Sequence, residues 1–157
     1  MILFDFDMPK WILFFYPIIK KLNKNYIITS RGGSDYSELN KVIELYNLDY
    51  ISIGRYGGGT LEGKLKASID RQTKLIEIVK KYNVKTVVSG SVVDINRVGF
   101  GMGLKVINFN DMPIKDHKFS CKNITPITRL TAPFSSVLFK PFFLEDEIFE
   151  KLGVCNI

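Results

Sequence analysis

Short apolar segments alternate along the chain with longer stretches in which apolar residues recur at helical spacing. Four of these segments are rich in β-branched or aromatic residues: Ile2-Leu3-Phe4, Tyr26-Ile27-Ile28, Tyr50–Ile53 and Thr86-Val87-Val88. Each ends in a polar or glycine-rich turn and precedes a helical stretch, as in repeated βαβ units around a parallel sheet. Two further runs, 105–109 and 137–139, bring the total to about six strands. The pattern predicts a Rossmann-like, three-layer α/β fold.

Several residues predict where the helices begin. Pro9 suits the first position of a helix, where its missing N–H is not needed. Asp35 with Glu38, and Ser91 with Asp94, have the spacing of a capping box, in which a cap side chain and a carboxylate three residues later satisfy free amides. We therefore expect helices to begin at these three points.

Two of the predicted helices differ in their apolar faces. Leu65, Ile69, Ile76 and Val79 recur at helical spacing, so they predict a long helix that packs on the sheet with a charged outer face. The helix that includes residues 11–19 is apolar on nearly every side, and Pro17 should kink it. Burial on several sides is one interpretation, and an exposed patch for a membrane surface or a partner domain is the other.

Length and composition favour one folded domain over residues 1–157. The 46% hydrophobic content supplies a substantial core, and 24% charged residues suit an ordinary surface. The net charge of +6 could attract nucleic acid, a membrane or an anionic small molecule. The lysines are scattered without aromatic-basic alternation, which favours a solvated lysine-rich surface over nucleic-acid binding.

The two cysteines exclude a disulfide framework. Cys121 and Cys155 are isolated in sequence and form no CxxC motif, so we expect inert buried thiols and a cytoplasmic location. The apolar run near the amino terminus follows Asp5 and Asp7, whereas a signal peptide would have a basic region there. No export signal or metal site is predicted.

Ligands of open parallel sheets bind beyond the carboxyl ends of the strands, so the turns at those ends are the candidate site. The first turn contains Asp7 but no GxGxxG, which excludes an ordinary NAD site and predicts no cofactor. Arg31 follows the second strand, and Gly57, Gly58 and Gly59 follow the third. Glycine amides beside an arginine can hold an anion, although a flexible turn capped by Thr60 explains them equally well.

Residues 58–65 contain a formal GxxxxGK, the beginning of a P-loop. Leu65 occupies the position of the magnesium-binding Ser or Thr, and the segment follows the third strand rather than the first, so ATP hydrolysis is rejected. Lys64 remains either a surface cation or one that faces a ligand.

The last two turns supply hydroxyl, amide and carboxylate groups. Ser89, Gly90 and Ser91 precede a helix, where they could bind an oxyanion or sugar hydroxyls, or could only cap it. Asn110 and Asp111 follow the fifth strand. Asp111 could act as a general base if burial raises its pKa, and the alternative is a simple turn.

Several of these segments together resemble a poorly characterised prokaryotic family of glycosyltransferase-like proteins. The segments are 5–9 with 14–19, 53–58, 89–91 with 97–103, and 109–111. That family resembles the amino-terminal half of the glycosyltransferase-B fold and of UDP-N-acetylglucosamine 2-epimerase. The resemblance implies a second, donor-binding domain and a site in the cleft between the two. It also implies a position for Asp111 near the catalytic acid of the epimerase.

The leading hypothesis is an acceptor-side domain of a glycosyltransferase-B or sugar-nucleotide epimerase-like enzyme, incomplete without a second domain or chain. Asp111 and Asp7 are the candidate bases, and the other turn residues named above are candidate contacts to a sugar nucleotide or a phosphorylated or glycosyl acceptor. The alternative is a non-catalytic module that binds a nucleotide, an anion or a protein partner. A further possibility is peripheral membrane contact through residues 11–19. If the folded chain placed Ser89, Gly57 and Asp111 on opposite faces, the proposed pocket would not exist.

Overall fold

The computed structural model describes residues 1–23, 25–115 and 122–157. Six parallel strands form one sheet in the order β3-β2-β1-β4-β5-β6, which confirms the predicted fold class. The strands are β1 (Ile2–Phe6), β2 (Tyr26–Arg31), β3 (Ile51–Ile53), β4 (Thr86–Ser89), β5 (Lys105–Phe109) and β6 (Val137–Phe139). By compactness the chain divides into two units, Met1–Lys85 and Thr86–Ile157.

Six α-helices connect or follow the strands in the described residues. They are α1 (Pro9–Ile19), α2 (Ser37–Leu45), α3 (Leu61–Lys81), α4 (Val93–Gly101), α5 (Pro126–Thr131) and α6 (Glu147–Glu150). The prediction that Pro9 begins a helix is confirmed. The last of them, α6, has only four residues.

Successive side chains of β1 point into two different layers of the first unit. The rings of Phe4 and Phe6 lie 5.5 and 5.9 Å from the ring of Phe15 on α1. The carboxylate of Asp5, between them, binds Arg71 on α3. Because successive side chains of a strand point to opposite faces, α1 and α3 cover opposite faces of β1.

Helix α1 has one buried and one exposed apolar face. Trp11, Ile12, Phe15 and Ile19 are buried, whereas Leu13, Phe14 and Ile18 are 52%, 53% and 44% exposed. The helix continues through Pro17 to its end at Ile19. Burial is therefore confirmed for one face, while contact of the exposed face with a membrane or a partner domain stays a prediction.

Two of the predicted capping boxes are wrong, although a helix begins within two residues of each. Asp35 lies in a 3-10 turn, Ser34–Tyr36, and α2 begins after it without a side-chain cap. Helix α4 likewise begins after Val92 without a side-chain cap, because the Ser91 hydroxyl binds Asn108 and the Phe109 carbonyl instead. For Ser91, hydrogen bonds to residues distant in sequence replace the expected helix cap.

The predicted cap at Thr60 is confirmed, but the predicted packing face of α3 is only partly correct. The Thr60 hydroxyl accepts a hydrogen bond from the Gly63 amide at 3.1 Å. Leu65 and Ile69 are 62% and 57% exposed, because they lie on a different side of α3 from its buried residues. The buried positions 71, 75, 78 and 79 form a stripe of their own at helical spacing.

The second unit packs α4 closely on β4 and β5. A Cβ atom at Gly99 would lie 2.6 Å from a methyl of Val87 and 2.8 Å from one of Val106, so glycine permits this approach. A separate apolar cluster in this unit contains Ala132, Leu138, Ile148, Phe149 and Val154.

The prediction of buried thiols is wrong for Cys155, which is exposed. It lies near the carboxyl terminus, beyond α6, where only Val154 of the last residues is buried. Cys121 lies outside the described residues, as does His117, the one histidine of the sequence.

Candidate functional site

A pocket of about 290 Å³ opens in the first unit where β1 and β2 end and α3 begins. Its lining is Asp7, Arg31, Tyr36, Tyr56, Gly57, Lys64, Ala67 and Ser68. Three of the predicted site residues, Asp7, Arg31 and Gly57, therefore lie together. Lys64 joins them, which supports the ligand-facing interpretation of this lysine.

The carboxyl group of Asp7 is the most perturbed acidic group in this pocket. Desolvation by burial raises its pKa from 3.8 to about 6, the neighbouring Asp5 carboxylate adds to the rise, and Arg31 and Arg71 oppose it. The Oδ1 atom is buried and has no hydrogen-bond partner among the described residues. A carboxyl group with this pKa can accept or donate a proton near neutral pH.

Cations and rings form the rest of the pocket wall. The Arg31 guanidinium lies 5.8 Å from the centre of the Tyr36 ring, within the range of a cation–π contact. Arg31 and Lys64 carry two positive charges against one ionisable carboxyl, so the pocket suits a ligand with an anionic group and a hydroxyl.

A buried ion pair next to this pocket links β1 to α3. The two oxygens of Asp5 accept hydrogen bonds from the Arg71 guanidinium at 2.6 and 2.9 Å, and both side chains are fully buried. Thr29 donates to the same carboxylate at 2.7 Å, and Arg71 Nε donates to the Ile53 carbonyl at 3.3 Å. The group thus joins β1, β2, β3 and α3.

Sequence reasoning missed this ion pair because it assigned Asp5 to the turn after β1. A signal was present, since Asp5 is a charged residue between two phenylalanines that both face α1. Arg71 also stands at the start of the stripe that Leu75, Ile78 and Val79 continue. A charged residue at a buried position of each of two elements indicates that the two residues form an ion pair.

Gly57 and Gly63 allow the loop after β3 to pack against the first turn of α3. A Cβ at Gly57 would lie 2.5 Å from the Gly63 carbonyl oxygen and 2.6 Å from Lys64 Cα, so this contact requires glycine. Gly58 has φ +79°, and it lines a neighbouring pocket with Arg55 and Lys66. The Gly63 amide is already bound by Thr60, which leaves a tight loop contact rather than a P-loop.

Ser89 and Ser91 form a polar network in the second unit, and their side chains are engaged within it. Ser89 is fully buried, donates to Asn96 Oδ1 at 2.6 Å and accepts from the Val92 amide. Ser91 has φ +60°, and both its amide and its hydroxyl bind Asn108 Oδ1. Their hydroxyls therefore hold the turn around Gly90, and a role in binding sugar hydroxyls stays a prediction.

The asparagines of this network were not found from the sequence. Asn96 and Asn108 are fully buried, and the Nδ2 atom of each has no hydrogen-bond partner among the described residues. For Asn108 the amide orientation follows from chemistry, because its oxygen must face the donating Ser91 amide. An asparagine in the buried register of β5 was the available signal.

Asn110 and Asp111 have different environments after β5. Asn110 is buried, donates to Thr128 Oγ1 at 2.9 Å and accepts from the Met112 amide. Asp111 is exposed, so the burial on which its role as a general base depended is absent at this position. Of the two candidate bases, Asp7 is the one that the fold desolvates.

A protein-family model described as "Protein of unknown function (DUF354)" matches residues 2–156. The chain belongs to this family. A curated relative, the uncharacterized protein MJ0665 of Methanocaldococcus jannaschii, is 27% identical over 155 residues, which are 97% of this chain and 42% of the relative.

Solved structures show which fold this DUF354 chain shares. The UDP-GlcNAc 2-epimerase of Neisseria meningitidis, bound to UDP-GlcNAc, matches with a TM-score of 0.73 and 13% identity, over 98% of this chain and 44% of the epimerase. MurG of Acinetobacter baumannii matches with a TM-score of 0.63 and 9% identity, over 92% and 42%. The expected likeness to part of these enzymes is confirmed. The chain spans less than half the length of each.

No described helix is both long enough and apolar enough to cross a membrane. Within the same residues, no group of three or more His, Cys, Asp or Glu side chains is arranged to hold a metal ion.

Proposed function

We propose that this chain is the acceptor-side domain of a glycosyltransferase-B or sugar-nucleotide epimerase-like enzyme, active only with a second, donor-binding domain. The pocket of Asp7, Arg31 and Lys64 carries this proposal. It lies where the fold of the similar enzymes leads one to expect ligands, at the carboxyl ends of parallel strands. The length of the relatives, more than twice that of this chain, supports the need for a second domain.

In this proposal Arg31 and Lys64 bind an anionic group, and Asp7 acts on a hydroxyl. Desolvation keeps the pKa of Asp7 near 6, so at neutral pH the carboxylate is ionised but basic enough to accept a hydroxyl proton. The buried Asp5–Arg71 pair holds β1 and α3 together next to Asp7. For Ser89, Gly90, Ser91, Asn110 and Asp111, which belong to the second unit, a role in ligand binding stays a prediction.

Titration calorimetry with UDP-sugars tests the pocket. We expect weak binding by the chain alone and a loss of at least about fivefold in Arg31→Gln and Lys64→Gln, since each removes a charge-assisted contact worth about 1 kcal/mol or more. Lys80→Gln is the matched control, because it removes the same charge from an exposed position near the other end of α3. Equal losses in all three variants would show only a general charge effect.

An activity assay distinguishes the proposed enzyme domain from a non-catalytic binding module. The chain is combined with a carboxyl-terminal donor-binding domain as a separate chain, and UDP release or epimer formation is measured. Turnover that depends on Asp7 supports the proposal. Binding without turnover in the reconstituted pair would favour the non-catalytic module that the same anion-binding pocket could form.

A further inference from the structure

The outer face of α1 combines an apolar centre with basic ends. Leu13, Phe14, Pro17 and Ile18 lie three, four, seven and eight residues after Lys10, the spacing of one helix face, and Lys21 follows just beyond the end of the helix. All six are exposed, and we call this set the outer stripe. An exposed apolar set of this kind marks an interaction surface.

The first unit holds the outer stripe in a fixed orientation. Trp11 and Phe15, on the adjoining side of α1, are buried, and each contacts the ring of Phe14 edge to face, with centroids 6.0 and 5.1 Å away. The apolar centre is thus preorganised on a packed helix.

The charges on α1 and just after it are all of one sign. The helix sequence PKWILFFYPII contains no Asp or Glu, and Lys20 and Lys21 follow directly. Lys10 lies 4.9 Å from the Trp11 ring, and Lys20 lies 5.1 Å from the Tyr16 ring, so both cations stand beside aromatic groups. A surface that complements this face must be apolar at its centre and anionic around it.

We propose that the outer stripe of α1 binds peripherally to an anionic lipid surface. Leu13, Phe14 and Ile18 enter the boundary between headgroups and acyl chains, while the lysines at both ends reach lipid phosphates through their long aliphatic stems. The net charge of +6 adds a general attraction to the same surface. This proposal goes beyond the proposed function and does not depend on it.

Vesicle co-sedimentation of the full chain tests the proposal. We expect binding to phosphatidylcholine vesicles that contain about 30% phosphatidylglycerol, weaker binding to phosphatidylcholine alone, and loss of binding at about 0.5 M salt. Replacing Lys20 and Lys21 by Gln should reduce the affinity about fivefold per lysine, which corresponds to about 1 kcal/mol each. No binding to the anionic vesicles at low salt would refute the proposal.

A matched pair of triple variants tests whether vesicle binding depends on this face or on exposed apolar side chains in general. Leu13→Ser/Phe14→Ser/Ile18→Ser should lose at least about tenfold in vesicle affinity, because it removes the apolar area that enters the lipid. The control changes Leu61, Leu65 and Ile69 to Ser, since these form an equally exposed apolar stripe on α3. The control should bind as the unchanged chain does, and circular dichroism checks that both variants fold.

Three results would overturn the assignment. Equal binding losses in both triple variants would show that any exposed apolar residue suffices. Retained binding in the α1 variant would place the lipid contact elsewhere. Self-association that the α1 variant abolishes, without vesicle binding by the unchanged chain, would identify the outer stripe as a protein interface.

Discussion

Replacing Asp7 by Asn should stabilise the protein, and more so at higher pH. Folding raises the pKa of this carboxyl from 3.8 to about 6, so the folded state binds more protons than the unfolded state between these values. Stability therefore falls as the pH rises through this window. With the pKa change of about two units, ionised Asp7 costs the fold roughly 2–3 kcal/mol above about pH 7.

Urea unfolding of the original chain and the variant at two pH values measures this cost. At about pH 5 part of the cost is already absent, so the advantage of Asp7→Asn should grow by roughly 1 kcal/mol between about pH 5 and about pH 8. Asp111→Asn is the matched control, because it makes the same change at an exposed carboxylate and should not reproduce this growth. An advantage of Asp7→Asn that is constant with pH would refute the argument from desolvation.

Three further substitutions test how the pocket is built. Arg71→Met should destabilise the chain by about 3–5 kcal/mol in urea unfolding, because it leaves Asp5 buried without its cation, and the added change Asp5→Leu should recover most of that loss. Gly57→Ala should cost about 1–3 kcal/mol and weaken UDP-sugar binding, since its Cβ would meet backbone at 2.5 Å, whereas Gly59→Ala meets nothing within 4 Å and should be nearly neutral in the same two assays. Thr60→Ala should lower the unfolding free energy by about 1 kcal/mol through loss of the helix cap, and a change below about 0.3 kcal/mol would contradict that role.

Helix α3 shows where pattern alone misassigns a face. Leu65 and Ile69 have helical spacing and were expected to pack on the sheet, yet Ile69 is two and six residues before the buried Arg71 and Leu75, spacings that put it on another side of the helix. Periodicity gives the relative angle of residues around a helix, but only the packed structure decides which side of the helix faces the sheet.

The alternation of apolar segments and helical stretches determined the fold class and the place of every strand. Strand bounds follow from local composition, which is why 105–109 and 137–139 are strands as predicted. The order of the strands, by contrast, arises from the way the βαβ units pack, and no residue pattern states it.

The candidate site divides in the same way between sequence and structure. The sequence placed Asp7, Arg31 and Gly57 at the ends of strands, because turn chemistry is local. Only the tertiary structure decided that Asp7 is desolvated while Asp111 stays exposed, and that Asp5 and Arg71, 66 residues apart, meet in the interior. Solvation and long-range pairing depend on what covers a residue in three dimensions, and the neighbours along the chain do not contain that information.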